Sequence, residues 1–355
     1  MTYSVTPLRL DEHREALARL WAENMTDERI SSVILARMRW LYEQGPDGPA
    51  TTILCVEDES GEVVGCGSFL HRPTWVDGRR LRAGVLCDFA VTRAHRVAGA
   101  ALAIQRALVE ASRATGMDLL YGYPNEKSIA VFKRIGYQVV GEATMWVKPL
   151  HSAYKLRSVL RWKRATTLAA GPVDMALALM DRVRRWRTWM PASGRPLSGP
   201  DASADDLWER MRAGYAIIGE KSLAYLDWRY GRFVTAEHRF FGLFPSRDER
   251  LAGFAVYTVK DGKAFVHDLF TDRRKRSDEA LLLALAEHLR GQNVDSMWLS
   301  YVGSPAFGER LRNVGFLRRP GTRALVLHPA GLTEPLRARV LEPANWFMLD
   351  GDLDI

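Results

Sequence analysis

The chemistry-bearing residues of this chain concentrate in Cys87-Asp88-Phe89-Ala90-Val91 and the turn Arg96-x-x-Gly99-x-Ala101 just beyond it. A short apolar strand enters a turn of small residues, and an Ala/Leu-rich helix leaves it at once. The first turn of a helix leaves backbone N–H groups unpaired at the positive end of the helix dipole. A turn this uncluttered therefore suits phosphate oxygens. Gly99 lets the backbone approach a ligand closely, and Ala101 keeps the helix start bare. The three cysteines, Cys55, Cys66 and Cys87, have no metal-ligand spacing, and an odd count gives no disulfide framework. They read as buried reduced thiols, and no metal site is expected.

The elements that must position this turn follow from periodicity. Helices are expected over Asp11–Met25, with Leu17, Leu20 and Trp21 on one face, and over Asp27–Tyr42, capped by Thr26 or Asp27. Strands are expected over Thr51–Cys55, Val63–Phe69 and Leu81–Val91. The helix Gly99–Thr115 closes at Gly116 in the left-handed position, followed by a strand Leu119–Tyr123. A short helix Ser128–Ile135 ends at Gly136, and Val139–Val147 closes the unit as one strand.

The order strand, helix, strand, short helix, Gly-aromatic, strand then recurs. Asp88 precedes the aromatic of Gly136-Tyr137 by 49 residues, and Asp268 precedes that of Gly315-Phe316 by 48. In the second unit, helices are expected at Asp205–Ala213, Ser222–Tyr230, Asp278–Arg290 and Pro305–Asn313. Strands are expected at Arg239–Phe244, Ala252–Val259, Ala264–Phe270, Ser296–Tyr301 and Leu317–Leu327. Between the units, two basic, Trp-bearing segments, Tyr154–Ala170 and Val173–Met190, flank Gly171-Pro172 and run into a turn-rich linker, Pro191–Pro200. The expected domains are 1–150, an insert and linker at 151–200, a second unit at 201–330 and a tail at 331–355.

Residues 1–150 carry Arg96-x-x-Gly99-x-Ala101, Asn125-x-x-Ser128 and Val131-Phe132-x-x-Ile135-Gly136-Tyr137 in that order. Together these resemble the GCN5-related N-acetyltransferases, the GNAT superfamily. The resemblance implies an α/β (α+β) fold of two tandem GNAT-like domains, each a mixed, mostly antiparallel sheet flanked by helices. It further implies acetyl-CoA or another acyl-CoA as co-substrate and direct acyl transfer to an amine. On that basis the N–H groups of Val97, Ala98, Gly99, Ala100 and Ala101 would take the pyrophosphate, with Arg96 adding a charge-assisted contact. The backbone of Phe89 and Val91 would pair with the pantetheine arm, and Asn125 would sit beside the coenzyme.

Asp88 is the candidate base, or the carboxylate that orders a relay water; the plainer alternative is a structural carboxylate, since Asp268 holds the matching place in the second unit. The family often has a tyrosine in the short helix to protonate the thiolate. Phe132 stands there instead, which leaves Tyr123, Tyr137 or Tyr121, or water. Cys87 as an acyl-carrying nucleophile has no histidine near it in sequence to activate it.

The second unit lacks the turn glycine: Thr271-Asp272-Arg273-Arg274-Lys275-Arg276-Ser277-Asp278-Glu279 places two acids at the helix start, which repel a pyrophosphate. This unit is expected to be degenerate, walling the acceptor site or completing an intrachain pseudo-dimer, so the chain reads as a monomer. The stretch Tyr225-Leu226-Asp227-Trp228-Arg229-Tyr230 resembles one in tandem acetyltransferase-like proteins of bacterial surface-polysaccharide pathways. That resemblance implies an amino-sugar acceptor, with Trp228 and Tyr230 able to stack on a sugar ring or to form a helical core stripe. A small-molecule amine, or a non-catalytic coenzyme-binding or scaffolding protein, are the alternatives.

Residues 151–200 hold ten Lys/Arg against two acids, which accounts for the whole formal charge of +8. A basic body for gripping nucleic acid is therefore not indicated. The insert suits either a helix lying on an anionic membrane face or a solvated bridge between domains. No apolar run reaches the ~20 residues that span a bilayer, and the N-terminus has no signal-peptide pattern. The expected location is cytoplasmic, with peripheral contact at the inner membrane face.

Overall fold

The structure is a computed structural model that describes residues 2–24, 28–96, 99–152, 163–188, 190–233, 235–246, 249–272, 276–321 and 323–353, with the backbone alone for 28–32 and 163–170. The first half runs β1 (Tyr3–Pro7), α1 (Leu10–Asn24), α2 (Glu28–Tyr42), β2 (Thr51–Glu57), β3 (Val63–His71), β4 (Thr74–Val76), β5 (Arg79–Leu81) and β6 (Ala83–Val91). It continues with α3 (Ala100–Ala114), β7 (Leu119–Gly122), α4 (Ile129–Ile135), β8 (Gln138–Glu142) and β9 (Thr144–Pro149). The bridging helix is α5 (Lys163–Arg187).

The second half holds β10 (Ala192–Leu197), α6 (Ala202–Met211), β11 (Ile217–Gly219), α7 (Leu223–Leu226), β12 (Arg239–Pro245), β13 (Gly253–Lys260) and β14 (Lys263–Thr271). It ends with α8 (Ser277–Gly291), β15 (Ser296–Gly303), α9 (Pro305–Asn313), β16 (Leu317–Arg319), β17 (Ala324–His328), α10 (Leu336–Leu341) and β18 (Trp346–Leu349).

Local pattern builds these elements. In α1, Leu17, Leu20 and Trp21 are buried on one face, and Asp11 and Glu12 sit in the first turn where the dipole favours them. In α3, Ala100, Ile104, Ala107 and Leu108 are buried against the sheet. Gly99 opens that helix at φ 95°, a left-handed conformation that a side chain would strain.

The two sheets exchange a strand. The first has the order β1-β2-β3-β6-β7-β17-β8, so a strand of the second half fills the place between β7 and β8. Leu327 of β17 faces Tyr121, and Val326 faces both Gly122 and Val139. In return, β9 leaves the first half to lie between β15 and β16, with Trp146 opposite Leu299 and Arg318. The expected single strand Val139–Val147 is therefore two, parted at Ala143, and Leu317–Leu327 is likewise split between sheets.

Three more expectations change. Residues 192–197 are no linker: they form β10, the edge strand paired with β12. The helix α5 runs unbroken through Gly171 and Pro172, where two segments were expected; 153–162 and the capping pair Thr26 and Asp27 lie outside the described residues. Leu81 belongs to a separate hairpin, β4–β5, whose first strand, β4, pairs with β11 of the second half.

The halves meet about a local twofold relationship. Trp40 and Trp228 stack at 4.9 Å, each indole N–H donating to the other's carbonyl, at 2.7 and 3.0 Å. The exchanged strand β9 is tied in by Lys148, 2% exposed, whose ammonium donates to Asp181 on α5 and to the Val314 carbonyl. Burial lowers the Lys148 ammonium to about 8, against the pull of Asp181.

Candidate active site

Strands β6 and β7 pair in parallel only from Ala83–Val85 to Leu119–Tyr121 and then diverge. The wedge between them opens toward the start of α3. Two cavities lie along it. The outer one, about 340 Å³, is lined by Phe89, Ala90, Val91, Arg96, Ala101 and Asn125 among others. The inner one, about 90 Å³, reaches Ser68, Cys87, Gln105, Tyr123 and Phe132, and shares Phe89, Asn125 and Ser128 with the outer.

The expected coenzyme contacts Phe89, Val91, Arg96, Ala101 and Asn125 all line the outer cavity. Gly99 and Ala100 form the N-terminus beside it, where the first N–H groups of α3 have no carbonyl a turn earlier to bond. Val97 and Ala98 lie outside the described residues. Arg96 is braced: Nε donates to the Val91 carbonyl at 3.1 Å and one terminal nitrogen to Asn24 at 2.9 Å. Asn125 closes the turn that leads into the short helix, its side-chain oxygen accepting from the N–H of Lys127 and Ser128 at 3.1 and 3.0 Å.

Asp88 lies away from that wall. Its φ of 49° kinks β6, and its carboxylate is held by Arg37 through two bonds of 2.9 and 3.2 Å and by the Tyr42 hydroxyl at 2.7 Å. Both side chains of the ion pair are almost wholly buried, at 3% and 2% exposure. Burial and the Asp88 charge push the Tyr42 phenol well above its ordinary value, so it stays a donor. Neither Arg37 nor Tyr42 was marked by a motif. The available signal was an arginine set inside the apolar run Ile34-Leu35-Ala36-Arg37-Met38.

The tyrosines separate by position. Tyr123 lines the inner cavity, and its hydroxyl donates to the Met348 sulfur at 3.0 Å. Burial, with the neighbouring Tyr121, pushes its phenol well above the usual range. Tyr137 packs edge-on to Phe132 and His328, lines neither cavity, and has a hydroxyl without a hydrogen-bond partner among the described residues. Tyr121 is fully buried beside Trp346. Cys87 lines the inner cavity and is 3% exposed.

The second half closes the same wedge. Beyond Val266 and Leu299, β14 and β15 part, and β18 enters beside β15, with Leu349 opposite Tyr301 and Phe347 opposite Gly303. The segment expected as a tail is thus a structural strand. At the start of α8, Asp278 accepts from the Thr271 hydroxyl and pairs with Arg310, and Glu279 pairs with Arg276. Asp268 repeats the Asp88 arrangement with other residues: Lys221 at 2.8 Å and the Tyr230 hydroxyl at 3.0 Å. Trp228 and Tyr230 are accordingly core residues, 5% and 3% exposed, and Trp228 spends its ring face on Trp40 rather than on a sugar.

A half with an open wedge at a helix N-terminus and a half with a closed one define a tandem GNAT fold. Residues 14–137 match the acetyltransferase (GNAT) family. No curated protein sequence matches the chain. Among solved structures, a conserved protein from Enterococcus faecalis V583 described as a probable N-acyltransferase is 12% identical with a TM-score of 0.64, covering 94% of this chain and 74% of that one. A tandem GNAT protein from the clavulanic acid biosynthesis pathway is 16% identical with a TM-score of 0.55, covering 94% and 100%. The N-myristoyltransferase of Saccharomyces cerevisiae with bound myristoyl-CoA is 11% identical with a TM-score of 0.57, covering 92% and 83%. These similarities are of fold.

Proposed function

We propose that the first half binds acyl-CoA, most simply acetyl-CoA, and transfers the acyl group directly to a primary amine. One observation carries this reading: the β6–β7 wedge runs open from the N-terminus of α3 to Cys87, while β18 fills its counterpart. The pyrophosphate rests on Gly99, Ala100 and Ala101, and the pantetheine arm lies along Phe89–Val91. In the reaction the amine nitrogen forms a bond to the thioester carbon, the carbon–sulfur bond breaks, the amine gives up a proton and the thiolate gains one. Tyr123, at the inner cavity, is the proposed proton donor to the thiolate. Asp88 is proposed as a positioning residue that fixes the kink of β6, because Arg37 and Tyr42 occupy both its oxygens. An amino sugar remains one such amine, with no aromatic platform at Trp228 to mark it.

The test is calorimetric binding of acetyl-CoA and free CoA to wild type and Gly99→Trp, followed by thiol release with a panel of amines. Binding to wild type that is lost in the variant, with turnover on some amine, supports the reading. Absence of binding at millimolar ligand overturns it. Binding without turnover on any amine favours a coenzyme-binding protein, the reading that Phe132 in the short helix supports.

Helix α5 supports a peripheral role. Met175, Leu179, Val183 and Trp186 recur at helical spacing and are 73%, 59%, 43% and 71% exposed, with Arg182 and Arg187 exposed beside them. We propose that this face rests on an anionic lipid surface. Among the described residues no helix is long and apolar enough to cross a membrane.

A further inference from the structure

Gln105 is the anomaly of the open wedge. It sits in the second turn of α3 on the face that otherwise buries Ala100, Ile104, Ala107 and Leu108. It is 0% exposed, and neither its amide nitrogen nor its amide oxygen has a hydrogen-bond partner among the described residues. A buried amide without partners is costly, and a ligand that supplies them recovers that cost. The side chain lines the inner cavity of about 90 Å³, whose walls mix the apolar Leu86, Phe89, Pro124 and Phe132 with the polar Ser68, Tyr123, Asn125 and Ser128. The Ser68 hydroxyl, on the same wall, is already bonded to Thr52 at 2.8 Å.

Position decides which part of a coenzyme reaches Gln105. From Val91 at the α3 end of β6 to Leu86 at the inner cavity is five residues of strand. With the kink at Asp88 the path is shorter than the roughly 17 Å of a straight strand, within the reach of an extended pantetheine arm. A thioester anchored by its pyrophosphate at Gly99 therefore delivers its acyl group to Gln105. The space holds only a few heavy atoms, and Phe89 and Phe132, ring to ring at 5.7 Å, bound it. None of the residues lining it is a lysine, arginine or histidine, so a carboxylate-bearing acyl group finds no counter-charge there.

We propose that this cavity selects a short, uncharged acyl chain carrying a hydroxyl or keto oxygen, and that the Gln105 amide is the group that recognises the oxygen. This rests on the acyl-CoA reading of the same wedge and adds the donor class to it.

The test is calorimetry of free CoA, butyryl-CoA, each enantiomer of 3-hydroxybutyryl-CoA, succinyl-CoA and hexanoyl-CoA against wild type and Gln105→Leu. Wild type is expected to bind one hydroxybutyryl enantiomer about fivefold more tightly than butyryl-CoA, the worth of one neutral hydrogen bond. Succinyl- and hexanoyl-CoA should bind more weakly than butyryl-CoA. Gln105→Leu should bind free CoA as wild type does, lose the hydroxyl preference, and melt no lower, because it removes an unpaired buried amide. A variant that melts lower and weakens every ligand alike makes Gln105 structural and overturns the proposal. Equal affinity of wild type for the hydroxylated and plain chains also overturns it, while leaving the coenzyme site standing. Failure of free CoA to bind overturns the coenzyme site itself, and this proposal with it.

Discussion

Arg37 and Asp88 form a bidentate ion pair, 2.9 and 3.2 Å, inside the first half, and Lys221 and Asp268 repeat it at 2.8 Å inside the second. A carboxylate on the kinked central strand, a cation and a tyrosine hydroxyl occur in both halves, although only one half has an open wedge. Shared between an open and a closed site, the arrangement serves the fold. Arg37→Met should strand the Asp88 charge and cost about 3–5 kcal/mol in urea unfolding, whereas the double variant Arg37→Met/Asp88→Leu should recover much of it. Recovery of none would mean that packing, not charge, sets the cost.

Tyr123→Phe keeps the ring that lines the inner cavity and removes only the hydroxyl, with its bond to the Met348 sulfur. The kcat should fall by about 100-fold or more, with the Kd for acetyl-CoA unchanged. Tyr137→Phe, away from both cavities, should leave kcat within about twofold of wild type. Steady-state kinetics by thiol release distinguishes them, and an unaffected Tyr123→Phe would transfer the proton to solvent.

The C-terminal strand β18 is predicted to be a stability element. Trp346 is 2% exposed, packs on Tyr121 and donates its indole N–H to the Val340 carbonyl at 2.8 Å. Trp346→Ala should destabilise by about 3–5 kcal/mol in denaturant unfolding without creating a second coenzyme site. Two CoA molecules bound per chain in calorimetry would contradict this.

Two half-buried imidazoles give a pH signature. Burial and the neighbouring His267 hold His238 down to about 3, and burial with Arg229 holds His267 down to about 4. The unfolded chain takes up these protons near pH 6.5, and the fold refuses them until far lower. Their neutral-state stability is therefore present above about 6.5 and is lost as the pH falls from there toward 4. The melting temperature should drop across that window, and His238→Phe, which keeps the ring contacts with Tyr230 and Phe233, should flatten the drop.

Membrane contact through α5 is checked by flotation with vesicles. Wild type should float with phosphatidylserine vesicles at low salt and not with neutral ones, and Leu179→Asp/Trp186→Asp should not float with either.

The sequence by itself determined the parts that depend on neighbours along the chain. The turn from Arg96 to Ala101, the left-handed Gly99 and Gly136, and the repeat that aligns Asp88 with Asp268 were all legible, because helix starts and strand periodicity are local. The wedge-facing set Phe89, Val91, Arg96, Ala101 and Asn125 was legible too, once the motif was placed on a strand and a helix. Tertiary structure alone decided which sheet each strand joined. The apolar pattern of Thr144–Pro149 and Ala324–His328 specifies a buried strand and is blind to its partner, so the reciprocal exchange of β9 and β17 could not be read from it. The same blindness hid β18 in the second wedge and Arg37 on Asp88, 51 residues away in the chain. It also hid Gln105, which looks like an ordinary polar residue of a helix until packing turns it inward, toward the one small cavity its amide can serve.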